Sequence, residues 1–166
     1  MIPRKRIDIG WADLASGVMG CFAPRNDART SIETTWDTRS SLACLSVRSG
    51  FDALLSVLAL PPGSEVLVSA VTIEDMPRII TEHGLVPVPV DMDMQTLQVS
   101  LDSLERARTP RTRLLLLAHL FGTRMPMQAV VEFSDKYDIV LLEDCAQGYT
   151  GDGWRGDAAA NVCLWQ

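Results

Sequence analysis

From Ser41 onward the apolar positions of this chain alternate between short continuous runs and helical stripes. Continuous apolar runs bounded by turn residues predict strands at Glu65–Ala70, Arg113–Leu120, Ile139–Glu143 and Asn161–Trp165, with the Ile139 strand buried on both faces. Leu42–Val47 reads as a strand ahead of them. Val86–Val90 reads as another, and because Pro87 and Pro89 remove ladder donors it is expected at an edge or with a locally unpaired side. Helices are predicted over Phe51–Leu60, stopped by Pro61-Pro62-Gly63, and over Glu74–His83, capped by Gly84. Two more follow: Ser100–Arg108, with Ser100 as N-cap and Leu101, Leu104 and Ala107 at helical spacing, and Pro126–Tyr137. Strands separated by helices imply right-handed crossovers and a parallel α/β sheet. Residues 1–40 read as an irregular N-terminal segment holding at most one short helix, and residues 41–166 as one domain.

Composition narrows the function classes. The chain has 166 residues, 47% hydrophobic and 22% charged, enough for one domain with a sizeable core. A net charge of -6 argues against a nucleic-acid surface, which needs basic patches. Cys21, Cys44, Cys145 and Cys163 lack short regular spacing, and His83 and His119 are the two histidines. That pattern predicts reduced thiols in a cytoplasmic protein and no metal site. Val18-Met19-Gly20-Cys21 faintly resembles a lipoprotein cleavage box, but Asp8 and Asp13 interrupt the apolar stretch that a signal peptide needs, so export is not expected. The longest apolar run, Leu114–Ala118, is too short to span a bilayer, and no membrane partner is expected.

Three segments carry candidate chemistry. In Ile139–Gln147, Glu143, Asp144 and Gln147 follow an apolar strand, where α/β sheets place their ligand crevice. A carboxylate there can pair with a cationic ring nitrogen and an amide can bond a ring substituent; equally, the acids can cap a helix or face solvent. Arg48-Ser49-Gly50 precedes a predicted helix, whose first N–H groups make an anion site with Ser49 as N-cap or phosphate ligand. An ordinary glycine turn reads the same way. His119 ends a predicted strand and is as readily a packed residue as a catalytic one. No Walker or G-x-G-x-x-G pattern occurs.

The ordered set R-S-G-F-D-A-L-L, P-P-G-S-E-V-L-V-S-A-V-T, G-L-V-P-V-P-V-D-M-D, T-P-R-T-R-L-L-L-L-A-H-L-F-G and I-V-L-L-E-D-C-A-Q resembles the DegT/DnrJ/EryC1/StrS aminotransferases from about Leu42 to Gln166. The resemblance implies the N-terminal part of a fold-type I large domain: a three-layer α/β/α arrangement on a mostly parallel sheet, incomplete here. It implies pyridoxal 5'-phosphate (PLP) as cofactor, a keto-sugar, often nucleotide-linked, as amino acceptor, glutamate or glutamine as donor, and a homodimer. Gly50 and Phe51 then match the loop whose N–H groups hold the cofactor phosphate. Asp144 matches the carboxylate on the pyridinium nitrogen, Gln147 the residue beside the phenolic oxygen, and His119 a residue near the cofactor. Ile73 stands where relatives place an aromatic over the ring, and Gln166 about where they have a phosphate-binding serine. The Schiff-base lysine would lie a few residues past Gln166, and the two lysines present, Lys5 and Lys136, match no such position. This chain alone is therefore expected to be inactive; the alternative is a non-catalytic truncated homologue that binds PLP or phosphate, or associates with a partner.

Overall fold

Five apolar runs pair side by side as one parallel sheet in the order β2-β1-β3-β4-β5: β1 Glu65–Ser69, β2 Val86–Val90, β3 Thr112–Ala118, β4 Val140–Asp144 and β5 Val162–Leu164. The computed structural model describes residues 9–22, 30, 41–148 and 154–165. Two compact units are present, Met1–Ala43 and Cys44–Gln166. In the first, helix α1 spans Trp11–Gly20, its start held by the Gly10 N–H on Asp13 Oδ2 at 2.8 Å. The rest of the predicted irregular segment falls mostly outside the described residues. No described helix is long and apolar enough to cross a membrane.

In the second unit the helices are α2 Val47–Leu58, α3 Asp75–Glu82, α4 Leu101–Ala107 and α5 Gln128–Tyr137. The chain steps from β1 to β2 through α3, then returns past β1 to reach β3 through α4. Reversing direction with crossovers of constant hand puts the two helices on opposite faces. One core accordingly joins Phe51 and Leu55 of α2 and Met76 and Ile80 of α3 to Val66, Leu114, Leu116 and Leu142. The other joins Leu104 of α4 and Val130 and Phe133 of α5 to Leu67, Leu115, Leu117 and Leu141. The unbroken Leu114–Leu117 run is needed because alternate residues feed alternate cores, and all four are buried. The three layers of the resemblance are present.

One predicted element is corrected. Leu42–Val47 is not a strand: residues 41–46 are irregular, and Val47 opens α2. Ser46 caps that helix, accepting the Ser49 N–H on Oγ at 3.2 Å, and Val47, Phe51 and Leu55 form its buried stripe at a spacing of four. Leu45 is fully exposed, so the apolar run was a lead-in with no strand to pair. The edge position read from Pro87 and Pro89 holds, since β2 pairs with β1 alone. The Val86 N–H bonds inward to the Ser64 carbonyl at 2.9 Å, so by alternation the proline nitrogens face the open side. Gly84, at φ +71, caps α3 as predicted, its N–H on the Thr81 carbonyl.

At the amino end of β1, away from the strand ends that form the cleft described below, Glu65 is a buried carboxylate. It accepts hydrogen bonds from the Thr109 and Thr112 hydroxyls and a two-pronged contact from Arg111, Nη2 at 2.6 Å and Nε at 3.1 Å. The Thr109 hydroxyl, followed by Arg111, holds its carboxyl below the usual range against the opposing pull of burial. A depressed folded-state value stabilises the fold above the unfolded carboxylate range and is lost as pH falls through the folded value. Glu65→Gln should therefore lower stability by about 1–3 kcal/mol at neutral pH. Denaturant melts at a series of pH values should show the difference shrinking once the medium is acidic enough to protonate Glu65 in wild type.

Candidate functional site

The carboxyl ends of β1, β3 and β4 splay around the point where the chain order reverses, the place where open α/β sheets bind ligands. Val71, Thr72 and Ile73 follow β1, Ala118 to Phe121 close β3, and Asp144, Ala146 and Gln147 close β4. Ser46, Val47 and Arg48, at the start of α2, complete a cleft of about 300 Å³.

Adjacent residues on β4 point to opposite faces, and this separates the two acids. Asp144 turns into the cleft, where its Oδ1 accepts the Ala146 N–H at 3.1 Å. Burial pushes its carboxyl above the usual value; the Ala146 N–H and His119 offset part of that. No cation pairs with it among the described residues. Glu143 turns the other way and is completely buried. It accepts His119 Nε2–H at 3.0 Å, the Asp157 N–H at 3.0 Å and the Cys145 thiol at 3.5 Å.

His119 has a settled tautomer. The Met125 N–H can only donate, and it points at Nδ1 at 3.2 Å, so Nδ1 is bare and Nε2 carries the hydrogen given to Glu143. Both nitrogens are thus engaged in a ring 2% exposed, with Trp154 edge-on at 5.0 Å. The ring ties the ends of β3 and β4 together beneath the cleft. Its neighbour Cys145 has its thiol pushed up by a hydrogen bond with Cys163 and by burial, which keeps it protonated.

Gln147 is oriented by the backbone. Its Oε1 accepts the Phe121 N–H at 3.0 Å, which directs the amide nitrogen to the other arm. Phe121 adopts φ +54 to present that N–H, a left-handed conformation uncommon for an aromatic residue, and Gly122 follows at φ +83. Ile73 lines the cleft, half exposed.

Of the residues singled out in the sequence, Ile73, His119, Asp144 and Gln147 come together at the cleft, whereas Ser49, Gly50 and Phe51 do not line it. Ser49 bonds Ser46, Oγ to Oγ at 2.8 Å; the Gly50 N–H is used inside the helix on the Ser46 carbonyl; Phe51 is fully buried in the core. A Cβ on Gly50 would meet Cys44 and Leu164 at ordinary contact distance. α2 starts at Val47, and the residues at its head that line the cleft are Ser46, Val47 and Arg48. Sequence reasoning passed over Ser46 and Thr72; the signal for Ser46 was a serine three residues before Ser49 at the head of an apolar stripe of period four. Lys136 sits on α5 with Nζ on Glu105 at 3.1 Å and does not line the cleft. Lys5 and Gln166 lie outside the described residues.

Gly156 packs behind this network at φ +89, where a Cβ would lie 2.5 Å from Cys163 Sγ and 3.1 Å from Glu143 Oε2. Gly156→Ala should destabilise by about 2–4 kcal/mol, combining left-handed strain with overpacking. Thermal melts of the variant and wild type measure it.

The DegT/DnrJ/EryC1/StrS aminotransferase family profile matches residues 32–162. The 3-oxo-glucose-6-phosphate:glutamate aminotransferase of Bacillus subtilis is 34% identical over 107 residues, 63% of this chain and 24% of that protein. The chain thus spans about a quarter of that relative's length. Among solved structures, the sugar aminotransferase CalS13 of Micromonospora echinospora superposes with a TM-score of 0.74 at 27% identity, covering 99% of this chain and 49% of the other. Bacillus subtilis ntda, solved with the cofactor PMP bound, gives a TM-score of 0.70 at 27% identity over 88% of this chain and 35% of the other. Sequence match and superposition agree, and the chain belongs to the DegT/DnrJ/EryC1/StrS family of aminotransferases, which use pyridoxal phosphate.

Proposed function

We propose that the protein carrying this chain transfers an amino group from glutamate or glutamine to a keto-sugar, with PLP held in the cleft described above. One observation carries the reading: Asp144 is a half-buried carboxylate without a cationic partner among the described residues, facing the same cleft as the first turn of α2. A desolvated carboxylate is suited to a ring cation, and a helix N-terminus is suited to a phosphate. When bound, the cofactor supplies an electron sink for the carbon bearing the transferred nitrogen.

The chain's own residues do the rest. With the cofactor bound, Asp144 would hold the proton on the pyridine nitrogen. Gln147, whose Oε1 is held by the Phe121 N–H, would stand beside the ring's oxygen substituent. Ile73, which lines the cleft, would offer the ring an aliphatic side chain in place of an aromatic one. His119, with both nitrogens engaged, positions strand ends rather than exchanging protons. Lys136, bonded to Glu105, is not placed to act on the cofactor. The alternative of a non-catalytic binding module shares this cleft and differs in turnover alone. A homodimer is supported by the uncovered Leu45 and by Val57, 82% exposed on α2.

PLP titration followed by absorbance should give saturable binding. Asp144→Asn should weaken it by about 1.5–3 kcal/mol, the worth of a charge-assisted contact. Because burial raises the Asp144 carboxyl, wild-type affinity should fall on acidification as that group protonates and stops pairing with the ring cation. The variant should lack this part of the pH dependence, and equal profiles would place the ring nitrogen elsewhere. The 166 residues by themselves should show no turnover with glutamate and a keto-sugar, and borohydride reduction in the presence of PLP should leave Lys136 unlabelled. Sustained turnover would refute this assignment of Lys136.

A further inference from the structure

Among the described residues, four other than glycine have a positive φ: Ala59, Leu97, Phe121 and Asp138. Ala59 and Asp138 are the C-caps of α2 and α5, where a left-handed residue is ordinary. Leu97 closes a tight turn through its N–H on the Asp93 carbonyl at 2.7 Å. Phe121 differs from all three, because it carries a bulky ring, is 57% exposed and lines the cleft. With Gly122 at φ +83 it forms the middle of a turn closed by the Thr123 N–H on the Leu120 carbonyl at 2.9 Å. Two left-handed residues in a row are the habit of glycine, asparagine and aspartate, and a phenyl side chain there is strained.

The backbone of this turn does not account for the ring. Phe121 gives its N–H to Gln147 Oε1 at 3.0 Å, and a glycine would give the same N–H without strain. Core packing does not account for it either, since the residue is more than half exposed. What the side chain does face is the cleft. β3 is the middle one of the three strands whose ends form that cleft, so the turn after it lies between the segments carrying Ile73 and Gln147. Ile73 is 47% exposed as well, and the two residues give the opening an apolar wall.

Resting on the PLP reading above, we infer that the Phe121 ring is the contact surface for the amino acceptor, stacking on the C–H face of a sugar ring and favouring such substrates over acyclic ones. On that reading Gln147 stands beside the cofactor's ring oxygen. That oxygen and the carbon bearing the transferred nitrogen are attached to adjacent ring atoms. A substrate joined there comes within reach of the residue bonded to Gln147, which is Phe121. The amino donor has no comparable use for a phenyl face: glutamate and glutamine are acyclic and end in carboxylate or amide groups. A pyranose has a face made of C–H groups, and aromatic side chains in pockets match flat apolar surfaces of that kind.

The test is equilibrium binding of stable probes to the intact protein. The probes are pyridoxamine phosphate alone and the amine adducts that borohydride reduction makes from PLP with glutamate or with amino-hexoses bearing nitrogen at different ring carbons. Wild type should bind one amino-hexose adduct more tightly than pyridoxamine phosphate. Phe121→Ala should weaken that adduct by about fivefold or more and the other two kinds of probe by less than about twofold. Phe121→Tyr should keep the wild-type ranking, and Phe121→Leu should fall between. Phe121→Gly should lose the same affinity yet melt no lower than wild type, because it releases strain at a mostly solvent-facing position. A matching loss for pyridoxamine phosphate would put the phenyl on the cofactor, and a loss confined to the glutamate adduct would give it to the donor; either overturns the assignment. So do unchanged affinities throughout, amino-hexose adducts that bind wild type no better than pyridoxamine phosphate, or a Phe121→Gly variant that melts well below wild type and binds every probe poorly. Wild-type protein that binds none of the probes would show that the cofactor reading itself has failed, and the role of Phe121 with it.

Discussion

Every pairing in this sheet is parallel, so each strand must be reached by a crossover, and the crossovers keep one hand. That constraint, combined with the turn back between β1 and β3, distributes the rest of the molecule. It sends α3 to one face and α4 to the other, forces two separate apolar cores, and requires strands that are apolar on both sides. It also parts the connections above β1 and β3, so that their carboxyl ends stand open while the head of α2 overhangs them. The cleft is a by-product of the connection rule before any residue in it is chosen.

Within that opening, strand alternation gives two adjacent carboxylates different environments. Glu143 goes beneath the sheet ends, where a histidine N–H, a backbone N–H and a thiol satisfy it. Asp144 goes to the cleft with one backbone N–H and a desolvated environment that raises its carboxyl. The satisfied acid stiffens the floor and the under-satisfied one is left with an appetite for a cation. The strained Phe121 backbone belongs to the same design, since it spends conformational energy to aim Gln147.

Much of this was readable in the residues. Strand runs such as Leu114–Leu117 and the prolines of β2 carry their positions in their composition, because burial on both faces and a missing donor are local properties. The places of Asp144, Gln147 and Ile73 in the cleft were legible because each lies at or a few residues beyond a strand's carboxyl end. The start of α2 was not: Leu42, Leu45 and Val47 imitate a strand, and only packing of Val47, Phe51 and Leu55 on the sheet decides for a helix. Gly50 and Phe51 were singled out by the family motif, and the structure places both within α2, outside the residues that line the cleft. The tautomer of His119 depends on Met125 and Glu143 together, a convergence that only the folded chain brings about.

The two proline nitrogens on the outer side of β2 give the sheet unequal margins. Along that margin Pro87 and Pro89 offer no N–H to an arriving strand, so lateral growth is blocked at the level of donors. The β5 margin carries no such block: Val162, Cys163 and Leu164 keep their amides, and among the described residues β5 pairs only with β4. Extension of this sheet is therefore directional. Any strand that joins it, whether from this polypeptide or another copy, adds beyond β5, lengthening the platform on the side of Asp144 and away from Val90.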